Sequence, residues 1–138
     1  MRIEKAGSCF SRERSERSPG GLVLIWKPMK RGPRMFGLVV RFTCKDEPSA
    51  AAFDGLVART GELIRANEPG TVIYTVHRVD GRPLERLFYE LYRDKGAFEE
   101  HESKDYVRAF LSERDQYLSA TEVDRLDFVS GKGVDVEH

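Results

Sequence analysis

The chain has 138 residues, 40% hydrophobic and 33% charged, with a formal net charge of +0. This is the size and composition of one globular domain with a modest core, and the balanced charge excludes a general pull toward nucleic acid or an anionic membrane. The two cysteines, Cys9 and Cys44, form no disulfide or metal-ligand pattern, and no apolar run reaches membrane-spanning length; the expectation is a cytoplasmic protein with reduced thiols and no metal.

The charge is uneven. Residues 1–34 hold nine of the 23 Lys/Arg and three of the 23 Asp/Glu. Ser8–Ser18 mixes Ser, Arg and Glu with almost no apolar content, and Pro19-Gly20-Gly21 and Gly32-Pro33 are breakers, so the segment reads as a disordered basic leader. Its basic residues are interrupted by Glu and lack interleaved aromatics, which argues against a nucleic-acid tail. Met35 precedes the first convincing strand, and one reading starts the working protein there.

Phe36–Cys44 (FGLVVRFTC) is β-branched and aromatic and predicts a strand. Asp46 or Ser49 can then cap a helix, with Pro48 in its first turn. Phe53, Leu56, Val57, Thr60, Leu63 and Ile64 make its apolar stripe, ending at Asn67. Glu68-Pro69-Gly70 is a turn, with Gly70 able to take a positive φ. Val72–Val79 and Leu84–Tyr92 are strands joined by an Asp80-Gly81 hairpin. Asp94 caps a short helix carrying Ala97, Phe98 and His101; Ser103 caps another carrying Tyr106, Val107, Phe110 and Leu111. Val123–Val129 is the last strand, and residues 131–138 read as a loose tail.

The order β-α-β-β-α-β predicts a ferredoxin-like α+β domain over 35–130: a four-stranded antiparallel sheet with helices on one face. Strands such as Leu38-Val39-Val40 and Leu87-Phe88-Tyr89 are apolar at most positions, so the uncovered face also needs burial. A second copy packed sheet against sheet would supply it.

Glu68-Pro69-Gly70-Thr71, Tyr74, Tyr89-Glu90, Ala97-Phe98-Glu99-Glu100-His101 and Val107-Arg108-Ala109-Phe110 occur in an order and spacing that resembles the antibiotic biosynthesis monooxygenase family of dimeric α/β barrel proteins. The resemblance runs from about Phe36 to Val129. It implies a homodimer and a cofactor-independent monooxygenase that uses dioxygen, without metal or flavin, to oxidise an aromatic, quinol or polyketide-like small molecule. Leu111 stands where haem-degrading relatives carry an iron-binding His, which argues against haem degradation.

Within that resemblance His101 is the general-base candidate, because imidazole titrates near neutrality. Glu90, a carboxylate inside an apolar strand, is the expected partner that orients it. Tyr74, Phe88, Tyr92, Phe98 and Tyr106 are the expected substrate walls. His101 can equally be a structural bridge, and the aromatic set can be core and interface. His77 reads as a half-exposed sheet residue and His138 as a terminal one. Two other functions fit the same residues: a non-catalytic dimer that binds a small ligand, or a non-oxidative relative that isomerises or degrades a small signalling molecule.

Overall fold

The computed structural model describes residues 34–134. The leader reading of 1–34, all but its last residue, lies outside the described residues, as do the end of the tail and His138. Strand β1 (Phe36–Cys44) leads to helix α1 (Glu47–Asn67). Strands β2 (Thr71–Val79) and β3 (Arg82–Tyr92) follow, then helices α2 (Lys95–Ser103) and α3 (Asp105–Arg114). One 3-10 turn, Asp115–Tyr117, precedes β4 (Leu118–Asp127). The sheet is antiparallel throughout, in the order β2-β3-β1-β4. This is the ferredoxin-like arrangement expected from the sequence.

Local chemistry sets the boundaries. The Asp46 side chain accepts the Ser49 N–H at 2.9 Å and starts α1, with Pro48 in the first turn where no N–H is needed. Asp94 starts α2 in the same way, accepting from the Ala97 N–H at 2.8 Å. Gly81, at φ 81°, turns the β2–β3 hairpin. Two expectations are corrected. Ser103 does not cap α3: it ends α2, where its hydroxyl donates to the Glu100 carbonyl, and Lys104 takes the cap position with no side-chain bond. Strand β4 begins at Leu118, five residues earlier than the apolar pattern predicted, because Leu118 and Ala120–Glu122 pair with β1 along an exposed sheet edge, with a bulge at Ser119.

Alternation along the strands divides the sheet cleanly. Leu38, Val40, Phe42 and Cys44 of β1 and Phe88 and Tyr92 of β3 face the helices. They meet Ala50, Phe53, Leu56 and Val57 of α1, Phe98 of α2 and Phe110 of α3. Phe53 is fully buried, and the Phe42 ring stands edge-on to Phe53 and Phe88 with centroids 5.2 and 4.9 Å away. Burying each such ring contributes about 1.5–3 kcal/mol before edge-to-face gains. Leu63, counted in the α1 stripe, is instead 43% exposed. Arg86 and Arg78 close one end of the layer on Asp54 of α1, which takes the buried Arg86 guanidinium through two bonds of 2.8 and 3.0 Å. The opposite face carries Ile73, Val39, Leu87, Tyr89, Leu91 and Leu126. No helix covers it.

Candidate active site

The site gathers at one end of the helix-covered face. The antiparallel β2–β3 pair puts Thr71 opposite Tyr92, so the α1–β2 turn and the start of α2 meet there. The Arg93 N–H donates to the Gly70 carbonyl at 2.9 Å, tying the two connections together. Gly70 does not adopt a positive φ. Glycine is required there for another reason: a Cβ would stand 2.7 Å from the Ala97 Cβ on α2.

This contact brings Glu68 under α2. Its buried carboxylate takes three donors: Thr71 Oγ1 at 2.7 Å and His101 Nδ1 at 2.8 Å on Oε1, and Tyr106 Oη at 2.6 Å on Oε2. Burial pushes the Glu68 carboxyl up, but the bonds from His101, Tyr106 and Thr71 outweigh it and hold the group below the ordinary carboxylate range. A carboxylate accepts only, so Nδ1 carries the hydrogen and Nε2 is left as the ring's basic nitrogen. Nε2 makes no hydrogen bond among the described residues.

The expected orienting partner of His101 was Glu90. The structure gives that bond to Glu68 instead. Glu90 and Tyr92 lie two residues apart on the same face of β3, and Glu90 accepts the Tyr92 hydroxyl at 2.5 Å. Burial raises the Glu90 carboxyl above its ordinary value, and the His101 and Tyr92 contributions do not cancel it. The two carboxyls near the ring are therefore pushed in opposite directions, Glu68 toward the ionised form and Glu90 toward the protonated one.

A cavity of about 50 Å³ lies between sheet and helices, lined by His101, Glu90, Tyr74, Phe88 and Phe98 among others. These five sequence candidates are brought together. Tyr92 and Tyr106 do not line it. Tyr92 is wholly buried beneath the site with its hydroxyl spent on Glu90, and Tyr106 braces Glu68 from the side. Burial, then the Glu90 and Glu68 charges, push the Tyr74 phenol far up, so it stays a neutral hydroxyl. A wider groove of about 480 Å³ runs between α1 and β2, and Ile64 and Tyr74 line both spaces. His77 is exposed on the open face of the sheet, its Nε2 3.0 Å from Thr75 Oγ1. No group of His, Cys, Asp and Glu among the described residues is arranged to hold a metal ion, and no helix among them is long and apolar enough to cross a membrane.

A four-stranded sheet roofed on one face, with a carboxylate-held imidazole at the edge of an apolar hollow, defines a ferredoxin-like α+β protein with an internal site. The chain belongs to the antibiotic biosynthesis monooxygenase family, whose profile matches residues 35–113. It is similar in structure to a Caulobacter crescentus protein provisionally named an antibiotic biosynthesis monooxygenase, at 26% identity and a TM-score of 0.65 over 71% of this chain and 92% of that one. Two further folds match: SO0527 of Shewanella oneidensis (21% identity, TM-score 0.64, 72% and 95% covered) and Rv0793 of Mycobacterium tuberculosis (18% identity, TM-score 0.64, 70% and 97% covered). Among curated proteins, none matches the chain.

Proposed function

We propose that the chain is a cofactor-independent monooxygenase for an aromatic or quinol small molecule, with His101 as general base and Glu68 as the group that positions it. The observation that carries this reading is the orientation of His101: Nδ1 is fixed on a buried carboxylate while the ring borders the cavity. Nε2 takes a proton from an acidic C–H or phenol, and Glu68 offsets the charge that develops on the ring. The resulting anion passes an electron to dioxygen. The radical pair combines to a peroxide, which loses water, so that a CH2 and O2 become C=O and H2O. Glu90, held toward its protonated form, keeps the hollow free of a second negative charge.

The cavity as it stands holds only a few water molecules, whereas ligand sites run to ~300–1,000 Å³. The Tyr74 and Ile64 side chains line both it and the groove beside α1. A rotation of Tyr74 is the movement by which the two spaces would join into one of ligand size. Family members are typically small dimers. In this chain Ile73, Val39, Leu87, Tyr89 and Leu126 form the apolar part of the face that a second copy would cover.

The test is oxygen uptake with anthrones and quinols by the wild type and by His101→Ala. The expected result is substrate-dependent uptake that falls at least 100-fold in the variant, the usual scale for losing a general base. Equal rates remove His101 from the chemistry. Turnover of a substrate without oxygen points instead to the isomerising reading. The small cavity and the mutually satisfied Glu68 cluster favour a second reading, a ligand-binding dimer without catalysis. Ligand binding with no turnover in either gas phase identifies it.

A further inference from the structure

The pairing register lays four side chains in one row across the helix-covered face: Tyr74 on β2, Glu90 on β3, Leu38 on β1 and Arg125 on β4. All four line the cavity. The next row, Val76, Phe88, Val40 and Val123, is wholly apolar apart from ring edges. The polar groups of the floor are thus concentrated in one line, a phenol at one end and a guanidinium at the other. Neighbouring strands lie ~4.8 Å apart, which places the Glu90 and Arg125 backbones about 10 Å from each other with Leu38 between them.

Arg125 is unusual in what surrounds it. Its guanidinium lies over the rings of Phe36 and Phe98, 5.6 and 5.9 Å from their centroids. Its Nε is buried with no hydrogen-bond acceptor, and among the described residues no carboxylate is within ion-pair reach of it. A guanidinium cannot shed its charge, and ring faces compensate a partly buried cation only in part. A polar group left unmet at the wall of a cavity is one that a ligand can satisfy. Phe98 lies one helical turn before His101, and both border the same space. A flat ligand in that space would therefore have His101 toward one end and Arg125 toward the other. Glu102 and Arg114 also border the cavity and bring opposite charges to it.

We propose that Arg125 is the anion-binding group of the cavity, taking a carboxylate or similar oxyanion of an aromatic ligand at the β4 end of the row. The inference rests on the cavity being the ligand site, as proposed above, and not on the oxidation itself. It narrows the ligand class to aromatics that carry a negative oxygen group at the end remote from His101.

The full chain is titrated by calorimetry with 1-hydroxy-2-naphthoate and, separately, with neutral 2-naphthol. The expected result is at least tenfold tighter binding of the naphthoate. Arg125→Gln should lose that preference and keep its affinity for 2-naphthol within twofold. In the wild type, the Arg125 Nε–H resonance should shift on adding naphthoate and stay in place on adding naphthol, a readout that needs no variant to fold. Equal binding of the two probes, binding of neither, an unmoved Nε–H resonance, or a folded Arg125→Gln that keeps the preference would overturn the proposal. The readout is binding alone, so an absence of oxygen uptake bears on the oxygenase reading and not on this one.

Discussion

The Glu68 carboxylate, one residue beyond the end of α1, holds His101 of α2 through an Oε1···Nδ1 bond of 2.8 Å across 33 residues of chain. The same carboxylate is shared with Thr71 and Tyr106, so α1, β2, α2 and α3 are joined at one group. The site and the packing of the helix layer are therefore not separable there.

Glu68→Ala leaves three buried or half-buried donors without an acceptor. It should destabilise the fold by about 3 kcal/mol, the scale for removing one partner of a buried charged pair. Tyr106→Phe removes one donor only and should cost about 1.5 kcal/mol. Urea unfolding of the two variants against wild type gives both numbers. A loss under 0.5 kcal/mol for Glu68→Ala would show that the cluster contributes nothing net.

The acid limb of stability should change with it. The Glu68 carboxyl is lowered in the fold from its ordinary 4.5. It therefore contributes stability that is present above pH 4.5 and lost as the pH falls through the lower, folded value. A melting-temperature series below pH 4.5 should fall less steeply for Glu68→Gln than for wild type.

Glu90 works in the opposite direction. Its carboxyl is raised in the fold, so between 4.5 and the folded value the native chain holds a proton that the unfolded chain has lost. Stability must then decline as the pH rises through that window. Glu90→Gln keeps an acceptor for Tyr92 without the charge. It should abolish this decline and be at least as stable as wild type at pH 8. Parallel melting curves for the two proteins above pH 4.5 would contradict the assignment.

Asp54→Ala leaves the Arg86 guanidinium, whose side chain is only 6% exposed, with the Pro83 and Glu85 carbonyls but no counter-ion. A cost of about 3 kcal/mol is expected. The activity of the folded fraction should be unchanged, since Asp54 and Arg86 do not border the cavity. Denaturation midpoint and rate per folded molecule, measured together, check both halves.

Leu87→Asp puts a charge in the middle of the sheet face opposite the helices, across from Arg41 of β1 and His77 of β2. The wild type should sediment as a dimer at micromolar concentration and the variant as a folded monomer. A wild-type monomer removes the sheet-to-sheet dimer.

Much of the fold was legible because its signals are local. Phe36–Cys44 declares a strand by composition, Asp46 and Asp94 are effective caps, and Asp80-Gly81 makes a hairpin. The start of β4 was not legible, because Ser119–Glu122 belong to an exposed edge strand and bury no alternating stripe. His101 could be found from its helical spacing to Phe98. Glu68 was missed because a Glu before Pro-Gly reads as a solvent-facing turn residue. A signal was available: the expected topology already set the α1–β2 turn beside the start of α2, where any carboxylate is shielded by the incoming helix. The side-chain identity of a partner across 33 residues is a tertiary fact, and the expected burial of a carboxylate in an apolar strand favoured Glu90.

Gly70 brings no functional atom to the site, yet the seating of α2 depends on it. A methyl group at that corner would be a wedge driven into Ala97 and would tip the helix that carries His101 away from Glu68. The alignment of the imidazole thus hangs on a missing side chain, and the mildest of replacements, Gly70→Ala, would unsettle it while leaving every polar group in place.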